Sequence, residues 1–203
     1  MENDLKKLVN EGEKILYEGK PNKKCFIFES IFNPLMPFAI LWGIIDFGIL
    51  SGTIFFSEDK GILLFIIPFM LLHLMPVWIY LAGILLTLKK YKNTYYIVTD
   101  TGIYVSGGAF SKTYKHKPFA ELSHVDLHRG IFDQMFNVGD IITTSSHFTD
   151  NKGSASISIC SVSDYIDVYN LVKKLQKDIY TDVMYPNDKR PSENHGYNTK
   201  YKG

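Results

Sequence analysis

From Pro34 to Phe56 the chain carries one charged residue, Asp46, and from Gly61 to Leu88 it carries none, with a lone histidine at position 73. Ser57-Glu58-Asp59-Lys60 is all that separates the two runs. Neither shows the polar stripe that a helix on a soluble core presents to water. A bilayer core about 30 Å thick takes roughly 20 apolar residues of helix, and both runs reach that length at about 1.5 Å per residue. Backbone in lipid must satisfy its own hydrogen bonds, so both are expected to be helices. So short a linker makes them antiparallel neighbours. The second run exceeds what a span needs and holds Pro68 and Pro76, each of which removes a backbone donor and favours a kink. The first run follows a charged segment and is not succeeded by a small-x-small cleavage site, so it does not read as a cleaved signal peptide.

From Thr94 the pattern becomes strand-like. Thr94-Tyr95-Tyr96-Ile97-Val98 is β-branched and aromatic, Asp100-Thr101-Gly102 marks a turn, and Ile103-Tyr104-Val105 returns as a hairpin. Lys112 to Lys117, stopped by Pro118, Leu122 to Leu127, Asp140 to Thr144 and Ala155 to Ile159 read as further strands. Ile131 to Phe136, between Gly130 and Asn137, reads as one helical turn or a tight connection. Tyr165, Val168, Val172, Leu175 and Ile179 recur at helical spacing and form one apolar face behind a Ser163 or Asp164 cap. Upstream of the apolar runs, Glu13 to Gly19 also reads as a strand able to extend the sheet. The expected divisions are an N-terminal segment 1–24, a two-helix hairpin 25–92 with helices at about 34–56 and 61–88, a β-rich domain 93–180, and a disordered tail 181–203.

Charge sets the orientation. Lys20, Lys23 and Lys24 precede the first run and Lys89, Lys90 and Lys92 follow the second, while the linker has one lysine beside two acids. The excess of flanking lysines places both termini in the cytoplasm of a two-helix protein of the cell membrane. The two cysteines, Cys25 and Cys160, lack disulfide or metal spacing. A net charge of +1 gives no sign of nucleic-acid binding.

Asp46 and His73 lie at similar depths counted from the linker, so an antiparallel hairpin lets them face one another. Such a pair either fastens the helices or forms a proton-linked or ligand site. Gly48 and Gly52 form a G-x-x-x-G pattern, roughly opposite Asp46 on the helix, suited to close packing against another helix. Lys112, Lys115 and Lys117 are the densest basic stretch of the β-rich part and are candidates for lipid or partner contact. His124 and His128 sit on a strand, where that spacing makes no compact metal site, and no third ligand is evident. No G-x-S-x-G, H-E-x-x-H or phosphate-cradling loop occurs. Ser146 and His147 are adjacent and so point to opposite faces of a strand. No catalytic residue, cofactor or metal site is expected, and the chain does not read as an enzyme.

Several segments carry a family resemblance. Glu11-Gly12-Glu13-Lys14-Ile15-Leu16-Tyr17-Glu18-Gly19-Lys20-Pro21 resembles the segment before the membrane hairpin of bacterial membrane-anchored pleckstrin-homology (PH)-like proteins. Tyr96-Ile97-Val98-Thr99-Asp100-Thr101-Gly102-Ile103 resembles their opening strand, and Pro118, Leu122 and Val125 match the spacing of a later one. Gly130 and Phe136-Asn137-Val138-Gly139-Asp140-Ile141 resemble a further stretch, with Asn137 where the family usually has glycine. Asparagine tolerates the left-handed backbone that glycine supplies. The resemblance implies a PH-like fold, a bent antiparallel sheet or partly open barrel with a C-terminal helix, and no catalytic residues. Eukaryotic relatives that bind phosphoinositides carry basic residues in the first strand-to-strand loop. Here that turn, Asp100-Thr101-Gly102, is short and acidic. The reading is a non-enzymatic membrane protein whose cytosolic domain binds protein or lipid, with a protein partner or homo-oligomer. The alternative is a small oligomeric transport or gating subunit using Asp46 and His73.

Overall fold

The computed structural model describes residues 2–56, 60–145 and 156–184. The linker Ser57-Glu58-Asp59, the turn at Asp150 to Gly153, the Ser146–His147 pair and the tail beyond residue 184 lie outside the described residues. The chain divides into two compact units, residues 27–89 and everything on either side of them.

The flanking unit is β-rich. Strand β1 (Ile15–Gly19) comes from before the apolar runs; β2 (Tyr95–Thr99), β3 (Gly102–Gly107) and β4 (Thr113–Pro118) come from after them. These four form one antiparallel sheet in the order β1-β2-β3-β4. Strands β5 (Leu122–His128), β6 (Gly139–Ser145) and β7 (Ile157–Val162) form a second sheet in sequence order. The expected antiparallel β-rich domain is present, built as two sheets.

Alternation decides which residues of β2 face which layer. Tyr96 and Val98 point into the main core with Ile103, Phe119, Leu122, Ile141, Ile159 and Val162. Helix α7 (Tyr165–Met184) closes that core with Val168, Val172 and Leu175, spaced four and three apart. It runs to Met184, so residues 181–184 are helical where the sequence suggested disorder. Tyr95 and Ile97 point the other way, into a second cluster with Tyr104 and Leu5. Leu5 belongs to a short helix, α1 (Glu2–Lys6), that sequence reading had not marked. Behind α1, Tyr104 donates its hydroxyl to Glu13 and accepts from Asn10, which ties the N-terminal segment to the sheet. Burial and the hydrogen bond to Glu13 push the Tyr104 phenol up to about 12.

Asn137 ends helix α6 (Ile131–Phe136) with φ 51° and ψ 51°, in the left-handed region. The structure thus uses the tolerance expected of asparagine at that position. Asp133 starts the same helix by accepting from the Gly130 N–H at 2.8 Å.

The apolar unit holds the end of helix α2 (Lys23–Ile31) and helices α3 (Leu35–Phe56), α4 (Leu63–His73) and α5 (Met75–Asn93), up to residue 89. Pro34 ends α2 by disfavouring helix in the residue before it, and Asn33 caps α3 through the Leu35 N–H at 2.8 Å. Within the unit α2 is tied to α5 by Ser30 donating to Thr87 and Tyr80 donating to the Ile31 carbonyl. The second apolar run is not one helix: α4 and α5 are bent by 47° at Leu74. Pro76 has no N–H to continue the ladder, and the break follows from that.

Candidate functional site

In the apolar unit, Asp46 is 1% exposed and its Oδ1 lies 2.9 Å from His73 Nδ1. The two residues that stand alone in their helices are brought together. Ala39, Gly43 and Asp46 form the buried face of α3, at helical spacing. A Cβ added at Gly43 would lie 3.6 Å from Val77, so this glycine gives the close approach to α5. Gly48 and Gly52 do not: nothing lies within 4 Å of a Cβ added at either. The His73 ring stacks between Trp42 and Phe69, with centroids 5.0 and 5.4 Å away.

The bend at Leu74 strands backbone carbonyls, and two indoles take them up. Trp42 donates to the His73 carbonyl at 2.9 Å, and Trp78 donates to the Leu71 carbonyl at 3.0 Å. Thr53 and Thr87 return their hydroxyls to carbonyls one turn back in their own helices. These polar groups find their partners within the unit.

In the β-rich unit the three candidate lysines fare differently. Lys117 is buried and sits 3.0 Å from Glu121. Lys112 is exposed but lies 3.1 Å from Asp4. Lys115 is exposed and lines a cleft of about 440 Å³. The cleft runs between the inner end of the first sheet and β7. Lys90, Thr94, Tyr96, Val105, Thr113 and Ile157 contribute to its walls, and among the described residues no carboxylate does. Ser156, Ser158 and Cys160 bring the edge of β7 to it. Sequence reading had noted Lys90 only as a flank of the membrane run. The juxtaposition depends on how the two sheets close, which no local pattern reports.

His128, Asp133 and Asp140 also converge, with ligand-type atoms within 4.8 Å of one another. Each carboxylate has a structural task. Asp133 caps α6 and accepts from the Cys25 thiol at 3.5 Å. Asp140 accepts from the Ser161 N–H at 2.6 Å, where Ser161 takes a left-handed φ of 53°. Burial raises the Asp140 carboxyl, the Ser161 hydrogen bond opposes this, and the charge of Asp133 adds to the rise. His124, the other histidine of the pair on β5, is not part of this group.

The sequence pattern of the bacterial PH domain matches residues 47–176, more than half the chain. The chain belongs to the bacterial PH domain family. The match enters within α3, runs through α4 and α5, and ends within α7, so the family pattern includes apolar helices as well as sheets. Strand β1 precedes the matched region and still pairs with β2 of this bacterial PH domain. No curated protein and no solved structure matches the chain. Among the described residues, α3 is the one helix long and apolar enough to cross a membrane, and the bent α4–α5 pair would be a second if it is one span.

Proposed function

We propose that this bacterial PH domain protein is an integral membrane protein with two crossings, a non-enzymatic module that holds a binding domain at the cytoplasmic face of the cell membrane. The observation that carries this is the place of the insertion. Gly19, the last residue of β1, pairs with Tyr96, the second residue of β2. The chain therefore leaves one sheet and returns to the neighbouring strand of the same sheet. If α3 crosses a bilayer, α4 and α5 must bring the chain back. Only 17% of the apolar stretch of α3 is buried in the molecule, which suits a helix in lipid and not one in a soluble core. The lysine flanks on both sides of the insertion support cytoplasmic termini.

Asp46 and His73 act in this reading as a fastener between α3 and α4, since each satisfies the other. Gly48 and Gly52 leave the opposite part of α3 open to a partner helix or a second copy. Alkaline carbonate extraction of membranes carrying the full chain tests the anchoring. Retention in the pellet is expected, and release with the soluble fraction would refute it.

A further inference from the structure

We propose that the cleft beside β7 is a docking site for a short, acidic, extended peptide segment, which adds to the second sheet as a fourth strand. This rests on the reading of the β-rich unit as an interaction module, and it names the partner chemistry. Among the described residues, strand β7 pairs with β6 and with no other strand. The register Ile157 to Thr143 and Ile159 to Ile141, with Thr143 donating to the Ile157 carbonyl, turns the odd-numbered backbone groups toward β6. Backbone groups alternate sides along an antiparallel strand, so those of Ser158 and Cys160 turn away from β6. The Cys160 N–H bears this out, since it donates to the Tyr96 hydroxyl at 3.1 Å in the cleft wall.

The edge at Ser158 thus offers both an N–H and a C=O group to the cleft, with Ser156 beside it in the lining. A bare anion meets the donors alone; an extended chain meets donors and acceptors together. The cleft of about 440 Å³ has room for a few residues. Lys90 and Lys115 on its walls, with no carboxylate among the described residues, select a negative segment. Val105 and Ile157 give its apolar side chains a surface.

The test uses the full chain in phosphatidylcholine nanodiscs and the probe peptide Val-Glu-Val-Asp-Val-Glu, capped at both ends. Saturable binding is expected, with slowed hydrogen exchange at the Ser158 amide. Lys90→Ala with Lys115→Ala should weaken it on the order of 30-fold, about 1 kcal/mol for each lysine, and Lys90→Arg with Lys115→Arg should keep it. Ser158→Pro removes an N–H that β6 does not use, so binding should fall while the circular dichroism is unchanged. A probe N-methylated at alternate amides should fail. Equal binding of the methylated probe, or no binding of the parent, would overturn the proposal. So would binding of inorganic phosphate or of phosphatidylglycerol nanodiscs through Lys90 and Lys115 without the peptide, which would make the cleft a phosphate site. Retention in carbonate-washed membranes is read separately, so loss of peptide binding leaves the anchoring intact.

Discussion

Single residues carry the cost of placing polar groups in apolar surroundings. Removing one partner of the Asp46–His73 pair leaves the other unmet, which costs more than removing both. His73→Ala is expected to destabilise the apolar unit by about 1–3 kcal/mol, and Asp46→Leu with His73→Leu should recover much of that. Unfolding in mixed micelles measures both, and purely additive losses would mean the two residues are not coupled. Both residues stood out in the sequence because each is alone in its run, and counting from the linker sufficed to pair them. Asp140 presents the opposite kind of cost. Its folded pKa is raised by burial, so the folded state holds the proton more readily than the unfolded one. Stability then falls as pH rises from the unfolded value, about 3.9, through the folded one. Asp140→Asn keeps an oxygen for the Ser161 N–H and sheds the charge. The variant should melt higher than the parent at neutral pH, with the gap closing as pH falls; a gap constant with pH would contradict this.

At the scale of elements, periodicity made most of the fold legible. The strands from β2 to β7 and the apolar face of α7 are patterned every two or every three to four residues, and that is local information. Helix α1 was missed because five residues carry too little pattern, and Leu5 gains its meaning only from Tyr95 and Ile97 beneath it. Leu5→Ala should cost about 2 kcal/mol or more and speed proteolysis of the N-terminal segment; an unchanged cleavage rate would mean that α1 does not protect the sheet. The bend between α4 and α5 was foreseeable from Pro76, but its repair was not, because Trp42 lies on another helix. Trp42→Phe keeps the ring and removes the donor to the His73 carbonyl. A loss of about 1 kcal/mol is expected by the micelle assay, and no loss would show that the carbonyl finds another donor. Gly52→Cys should give cross-linked dimers in membranes if a second copy covers the glycine face, and monomers only would exclude that partner.

The whole molecule is a small two-sheet domain interrupted between its first two strands. The sequence held the parts of this arrangement, since Glu13 to Gly19 read as a strand able to extend the sheet. What it could not hold was the cleft, because Lys90, Lys115 and the β7 edge are far apart in sequence and meet only when the sheets close. In the proposed membrane reading the interruption sets the parity of crossings: neighbouring strands cannot lie on opposite sides of a bilayer, so an insertion that enters one must return. Cysteine accessibility tests this most directly, with Cys25→Ser and Cys160→Ser as background and one new cysteine at a time, Lys14→Cys, Ser57→Cys or Lys174→Cys. In intact cells a membrane-impermeant maleimide should label Ser57→Cys alone, and the other two only after lysis. Labelling of Lys14→Cys or Lys174→Cys in intact cells, or of Ser57→Cys only after lysis, would contradict a cytoplasmic domain carried on a membrane hairpin.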